Sequence, residues 1–243
     1  MSLYRDEAIV LRTQKLGEAD RIITLLTREH GRIRGVAKGV RRTKSKFGAR
    51  LEPGSHVDIQ LYTGRTFDTV TQVESIFNYG EALTDDYSRW TIAGAILEAA
   101  ERFTSHEHEP ALQEFKLVTG AMKALADEKY DPSMILDAYL LRSLAVGGYA
   151  PSLTNCSKCD ASGPHRYFSL VGGGLVCADC RPSASATPAP ETLKLMSDLI
   201  SGNWESAMAS ELRNRREANG LIAAYLQWHL ERGLRSLQLV ERA

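Results

Sequence analysis

Val57-Asp58-Ile59-Gln60-Leu61-Tyr62 alternates apolar and polar side chains without interruption, and this stretch defines the fold of the first third of the chain. Strict alternation places one set of side chains in a core and the other in water, which predicts a β-strand. Two short apolar and β-branched runs lie upstream, at residues 8–11 and 22–27, and a third strand is predicted over residues 31–38. Turn sequences separate these runs, among them Pro53-Gly54.

This spacing predicts about five short strands within residues 1–80, which favours a closed barrel over an open sheet with exposed edges. Five strands with long loops fit an OB-fold, although spacing alone does not separate an OB-fold from an SH3-like barrel. Beyond residue 80 the apolar residues recur at helical spacing, starting from Thr84-Asp85-Asp86. Further helices are predicted over residues 110–127, 132–146, 191–201 and 207–232.

The predicted fold class is therefore α+β, with an N-terminal small β-barrel followed by a helical domain. The expected boundaries are residues 1–80 for the barrel, residues 81–155 and 183–243 for the helical domain, and residues 156–182 for a separate module between the two helical parts.

Four cysteines indicate the metal site. The pattern is Cys156-x-x-Cys159, an insert, and Cys177-x-x-Cys180. Two residues between ligands let one tight turn direct both sulfurs at the same ion, and a second knuckle then completes a tetrahedral site. Four protein ligands leave no position for water, so we predict one structural Zn²⁺. The alternative is free cysteines or a redox pair, but a redox protein needs one such pair and not two.

Composition bounds the protein class. Apolar residues make up 43% and charged residues 25% of the 243 residues, and the net charge is zero, all typical of a globular protein. The first residues carry acidic side chains and no apolar run, so we expect no signal peptide, no membrane segment and a cytoplasmic location. Paired cysteines in a reducing compartment favour metal over disulfides.

Charge is unevenly distributed. Residues 1–80 carry 14 Lys/Arg against 9 Asp/Glu, a net charge of +5, whereas residues 81–150 carry 6 against 12, a net charge of −6. From Arg28 to Arg50 there are nine basic residues and one acid. Positive charge on a strand face and in a flexible loop is suited to gripping a phosphate backbone. The candidate DNA-binding residues are Arg32, Arg34, Lys38, Arg41, Arg42, Lys44 and Lys46. A solvated surface that only maintains solubility is the alternative.

Other motifs carry less weight. Residues two apart do not share a helix face, so we interpret His106-Glu107-His108-Glu109 as an exposed loop and not a metal site. The sequence contains no phosphate-binding loop and no nucleophile elbow, and its carboxylates are scattered, so we expect no enzymatic activity.

Taken in order, these features resemble the RecO family of bacterial recombination mediators. The resemblance lies in Ala8-Ile9-Val10-Leu11-Arg12, in residues 17–39, in Leu140-Leu141-Arg142-Ser143-Leu144, in Gly148-Tyr149-Ala150-Pro151, and in Tyr167-Phe168-Ser169 with the three glycines before Cys177. It spans nearly the whole chain. Asp160 departs from it, because family members often carry glycine after the second cysteine.

The resemblance implies an N-terminal OB-fold that binds DNA at residues 1–80, a helical domain at residues 81–155 and 183–243, and a four-cysteine zinc ribbon at residues 156–182 that is inserted into the helical domain. It also implies a role in DNA repair and homologous recombination: binding of single- and double-stranded DNA, annealing of complementary strands, and cooperation with RecR. Family members help to load RecA onto DNA coated by single-strand-binding protein, whose acidic C-terminal tail they contact. We accordingly expect a nucleoid-associated protein that is a monomer on its own. The competing hypothesis is a zinc-stapled protein–protein interaction module without direct DNA binding.

Overall fold

The computed structural model describes residues 2–230 and 234–240 and divides into two compact units, Met1–Lys129 and Tyr130–Ala243. The first unit begins with five strands: β1 (Leu3–Leu16), β2 (Asp20–Thr27), β3 (Gly31–Ala37), β4 (Ser55–Tyr62) and β5 (Asp68–Asn78). They close into a barrel in the order β1-β2-β3-β5-β4. β3 and β5 meet in parallel at Gly35–Asp68 and Val36–Thr69, and the other pairs are antiparallel. This five-stranded barrel confirms the predicted OB-fold.

Alternation along the strands fills the barrel interior. Ala8 and Val10 on β1 and Ile23 and Leu25 on β2 belong to one core cluster. Ile9 is fully buried but lies outside that cluster, because successive side chains of a strand point to opposite faces. The outer face of β1 is therefore also covered by protein.

Helices supply that cover. The first unit continues with α1 (Tyr79–Ala82), α2 (Tyr87–Phe103) and α3 (Leu112–Ala126), of which α2 packs on β1 and α3 on β2. The Asp86 side chain accepts a hydrogen bond from the Arg89 amide and so caps α2, as the predicted helix start requires. Residues 81–129 thus form one compact unit with the barrel. The domain boundaries expected from the sequence stay a prediction.

The second unit contains α4 (Pro132–Val146), the hairpin of β6 (Tyr167–Ser169) and β7 (Gly174–Val176), and then α5 (Pro190–Ser201), α6 (Trp204–Met208) and α7 (Leu212–His229). α4 is buried along most of its length and packs against α5 and α7. Arg142 on α4 donates to the carbonyls of Leu199 and Ile200 and so satisfies the last turn of α5. Burial lowers the pKa of this guanidinium.

One predicted helix differs from the observed one. A single helix was expected over residues 207–232, but α6 ends at Met208 and α7 begins at Leu212. Arg215 donates to the Met208 carbonyl at 2.7 Å and to Ser210 Oγ at 3.0 Å, which stabilises the break. The expected end at residues 231 and 232 lies outside the described residues. No helix within the described ranges is long and apolar enough to cross a membrane.

Candidate nucleic-acid interface and metal centre

The basic loop that follows β3, residues 38–46, is fixed to the barrel by two buried side chains, one within the loop and one directly after it. Val40 and Phe47 both belong to the barrel core cluster. Asp20 accepts a hydrogen bond from the Gly39 amide at 2.7 Å, and the Arg41 amide donates to the Ala19 carbonyl. Residues 41–46 are therefore held at both ends, and the basic side chains of the loop are exposed to solvent. Phe47 is only 2% exposed, so its ring is not available for stacking on a base although it directly follows the loop.

Five of the seven predicted DNA-binding residues share this loop and are exposed: Lys38, Arg41, Arg42, Lys44 and Lys46. Arg41 donates to the carbonyls of Gly17 and Glu18, and Lys46 donates to the Thr71 carbonyl. Among the residues the structure describes, none of the five forms an ion pair with a carboxylate. Their charges are consequently available to an external anion.

Arg32 and Arg34 have a different environment. Arg34 Nε lies 2.5 Å from Glu107 Oε1, and its guanidinium lies 4.9 Å from the centroid of the Phe67 ring. Arg32 donates to the Ser105 carbonyl and lies 3.9 Å from both Glu101 and Glu107. These two arginines point outward from β3, as predicted, but acids of the same compact unit already neutralise them.

The segment that supplies Glu107 pairs with β3 through its backbone. The His108 amide donates to the Arg32 carbonyl at 2.9 Å, and Glu107 forms a parallel bridge with Arg32. The segment at residues 106–109 is mostly exposed, as expected, but Glu107 is half-buried. Sequence reasoning missed the contact between Glu107 and β3. The net negative charge of residues 81–150, set against the net positive charge of residues 1–80, was the feature that could have indicated it.

The four cysteines converge in the second unit. The Sγ atoms of Cys156, Cys159, Cys177 and Cys180 all lie within 4.8 Å of one another, and Cys159 Sγ lies 3.8 Å from Cys177 Sγ. A disulfide needs about 2.05 Å between sulfurs. Four thiolates at ~2.3 Å around a tetrahedral ion would place neighbouring sulfurs ~3.8 Å apart. The geometry therefore fits a four-coordinate metal centre.

Local backbone structure builds this site. The Asp160 amide donates to the Cys156 carbonyl, and the Ser157 amide donates to the Leu175 carbonyl, which joins the first knuckle to β7. Asp160 has a φ of 57°, a conformation in which glycine is favoured and aspartate is tolerated. Asn155 Nδ2 donates a hydrogen bond to the Asp160 carboxylate at 3.0 Å. The departure from glycine at this position is thus accommodated without opening the knuckle.

The electrostatics of the thiols favour a bound cation. The Cys177 amide donates to Cys156 and lowers the pKa of that thiol to about 6. Hydrogen bonding with the Cys177 side chain raises the pKa of Cys180 to about 12. Adjacent thiols share protons because their negative charges repel, and a divalent ion removes that repulsion.

Comparison with known proteins assigns the family. Residues 1–79 match the family model described as "Recombination protein O N terminal", and residues 84–238 match "Recombination protein O C terminal". The chain belongs to the RecO family. It is 58% identical over 243 residues to "DNA repair protein RecO" of Thermobifida fusca, with both chains covered completely. Proteins of the same name from Streptomyces avermitilis and Frankia casuarinae are 58% and 53% identical, again over the full length of both chains.

The resemblance noted in the sequence is thereby confirmed, and the chain is a DNA repair protein of the RecO family. In this RecO protein the barrel, helices α2 to α7 and the four-cysteine centre lie within the matched ranges. The contacts that Arg32, Arg34 and the loop residues make with DNA stay a prediction.

Proposed function

We propose that this RecO protein is a recombination mediator that binds single- and double-stranded DNA and anneals complementary strands. The observation that carries the proposal is the loop at residues 38–46, where five exposed cations on an OB-fold barrel have no carboxylate partner among the described residues. Surface cations that are not neutralised within the protein attract phosphates and release counterions on binding. Few aromatic side chains accompany these cations, which favours contacts with the sugar-phosphate backbone of DNA over recognition of the base sequence.

Annealing follows from the same charges. Two complementary strands repel each other through their phosphates, and a surface that screens this charge lets the bases meet. Arg32 and Arg34 complete the proposed contact set once a phosphate replaces Glu107 as their partner. The role is non-enzymatic in this proposal, and incubation of labelled DNA with the protein and Mg²⁺ is expected to leave the DNA uncleaved.

The metal in this proposal is one structural Zn²⁺ held by Cys156, Cys159, Cys177 and Cys180. Four thiolates with paired spacing suit zinc, and full coordination by protein leaves no site for a reacting water. The ion would join the β6–β7 hairpin to the first knuckle and so stabilise the second unit.

The proposed partners follow from the family. With RecR, the protein would help to load RecA onto DNA coated by single-strand-binding protein, and it would contact the acidic tail of that protein. We propose a cytoplasmic, nucleoid-associated protein that is a monomer on its own. A strand-annealing assay with and without RecR and single-strand-binding protein tests this part.

DNA binding is tested by fluorescence anisotropy of a labelled dT oligonucleotide over a series of KCl concentrations. About six phosphate contacts give a log–log slope near −4, at ~0.7 per contact. Replacing Arg41, Arg42, Lys44 and Lys46 together by alanine is expected to make this slope less steep by about 2.8, at ~0.7 for each of the lost contacts. The control replaces the same number of exposed basic residues on helices, Arg102, Lys116, Lys123 and Arg216.

Two results decide against the proposal. Absence of binding to naked oligonucleotides at moderate salt would favour the alternative, a zinc-stapled protein–protein interaction module. An equal loss of slope in the loop variant and in the helix control would show that net charge alone is responsible, and the loop would then have no specific role.

A further inference from the structure

Two arginines of the metal module converge on one tyrosine. Arg166 directly precedes β6, and Arg181 directly follows Cys180. The guanidinium of Arg166 lies 4.9 Å and that of Arg181 lies 4.1 Å from the centroid of the Tyr167 ring. Arg166 Nη2 also donates to the Tyr167 hydroxyl at 2.6 Å. The result is a compact cationic cluster, Arg166–Tyr167–Arg181, beside the four cysteines.

Both arginines of this cluster are exposed, and within the described part of the chain neither forms an ion pair with a carboxylate. Two like charges held near one ring repel each other, and an anion placed between or beside them relieves that repulsion. The contacts with Tyr167 restrict both guanidiniums and so reduce the entropy lost when they bind. Each guanidinium presents a planar set of donors that matches a phosphate group.

Charge compensation of the metal centre is the competing explanation. Four thiolates around a divalent ion carry a net charge of −2, which nearby arginines would neutralise. Arg166, however, donates its hydrogen bond to the Tyr167 hydroxyl, and no hydrogen bond from either arginine to a cysteine sulfur is present among the described residues. Their donors are therefore directed at the tyrosine and the solvent, not at the metal ligands.

We infer that Arg166, Tyr167 and Arg181 form a second phosphate-binding site, which takes the backbone of a nucleic-acid strand. The inference rests on the proposed function, since it gives the same DNA ligand a contact point in the second compact unit. The basic loop of the barrel lies in the first unit. A chain with two separate phosphate sites can hold two strands, or two parts of one strand, which suits annealing.

The test uses the full-length protein loaded with Zn²⁺ and a fluorescein-labelled dT oligonucleotide. Replacing Arg166 and Arg181 by glutamine is expected to reduce the salt slope by about 1.4, at ~0.7 for each lost contact. The matched control is R213Q/R216Q, which removes the same charge from exposed positions on α7 and is expected to leave the slope unchanged. The metal content of every variant is measured with a chromogenic chelator.

A second variant separates phosphate binding from charge compensation. R166K/R181K keeps both charges beside the metal centre but removes the planar donor fork, so a phosphate site loses affinity about threefold. If the arginines only compensate the metal charge, this variant binds DNA like the parent protein, and the inference is overturned. If R166Q/R181Q loses zinc, R166K/R181K is used in its place to decide whether the arginines bind phosphate.

The outcomes distinguish the inference from the proposed function. If the parent protein binds DNA and the barrel-loop variant loses binding while R166Q/R181Q does not, the inference fails and the proposed function stands. If R166Q/R181Q and R213Q/R216Q lose slope equally, the cluster is not a site. Failure of the parent protein to bind DNA overturns both.

Discussion

Gly31, at the turn into β3, illustrates how one residue fixes a contact between distant segments. Its φ is +68°, and a Cβ at this position would lie 1.7 Å from the Glu109 carbonyl oxygen. Only glycine combines this backbone conformation with so close an approach. The turn thereby determines how the segment that carries Glu107 lies along β3.

Replacement of Gly31 by alanine is expected to destabilise the first unit by about 3 kcal/mol, the sum of a left-handed backbone cost and steric strain. Gly17 provides the matched control, because its φ is +57° and no atom lies within 4 Å of the added Cβ. Gly17→Ala is expected to cost only about 1 kcal/mol. Urea unfolding followed by circular dichroism measures the free energy of unfolding of both variants. An equal loss of stability in the two would contradict the close contact at Gly31.

If Arg34 binds DNA as proposed, Glu107 is the residue that a phosphate has to displace from it. Glu107→Gln removes the carboxylate 2.5 Å from Arg34 Nε, so we expect tighter binding of single-stranded DNA, by about threefold, and a salt slope steeper by ~0.7 for one gained phosphate contact. Glu109→Gln is the control, since Glu109 is exposed and its carboxylate lies 3.5 Å from His106 and not beside Arg34. Anisotropy titrations of both variants decide the matter, and an equal gain in both would indicate a general charge effect.

Residue-level features divide into those that local sequence reveals and those that it does not. Asp86 and Asp131 cap α2 and α4, and both helix starts were predicted from local sequence. Burial of Phe47 was not, because its place in the core depends on the path of the loop around the barrel. The Glu107–Arg34 pair joins residues far apart in sequence, and no local pattern predicts such a contact.

At the scale of elements, strands were easier to locate than to order. The alternating stretch at Val57–Tyr62 forms β4, which spans Ser55–Tyr62. β1 is much longer than its apolar run, with 14 residues and a register shift between Val10 and Arg12. Bulges bend a strand so that it can pair with different neighbours along its length. The barrel order depends on such non-local pairing, so spacing alone left the OB-fold and the SH3-like barrel unresolved.

Under the proposed zinc binding, the module at residues 156–182 is the part of the chain whose stability is expected to depend most on the ion. Its hairpin has three residues in each strand and contacts α7 through Phe168 and Tyr225, whose ring centroids lie 5.8 Å apart. Removal of the proposed Zn²⁺ with a chelator is expected to increase hydrogen exchange in β6, β7 and the cysteine knuckles, because metal binding at such a site contributes to local folding.

Hydrogen exchange followed by mass spectrometry measures this effect in peptides from both units. Peptides of β1 to β5 provide the internal control and are expected to exchange as before. Restoration of protection by added Zn²⁺ would assign the change to the metal. Unchanged exchange across the knuckles after complete removal of zinc would contradict a stabilising role.

At the scale of the whole molecule, the acidic and basic segments are separate in the sequence, but inside the first unit some of their charges form ion pairs with each other. In the sequence, residues 81–150 carry a net charge of −6 and residues 1–80 a net charge of +5. In the structure, Glu101 lies 2.8 Å from Arg12 and Glu107 lies 2.5 Å from Arg34. Partly exposed ion pairs contribute little to stability, but they reduce the positive charge that the barrel strands offer to DNA. The loop at residues 38–46 keeps its charge and therefore dominates the proposed interface.

The compact unit that carries the barrel also contains α2 and α3, which predicts where the chain can be divided. Ile9 and Leu26 are fully buried although neither belongs to the barrel core cluster, and α2 and α3 pack on their strands. A fragment of residues 1–80 would expose this apolar surface to water, at about 25 cal/mol per Å². A fragment of residues 1–129 keeps it covered.

We therefore expect the fragment of residues 1–129 to fold as a monomer, to unfold cooperatively, and to bind single-stranded DNA through the loop at residues 38–46. The fragment of residues 1–80 is the control and is expected to aggregate or to unfold at a much lower urea concentration. Size-exclusion chromatography, circular dichroism and anisotropy measure these properties. If the shorter fragment were as stable as the longer one, α2 and α3 would be dispensable for the barrel, and the boundary at residue 80 would describe an independent domain.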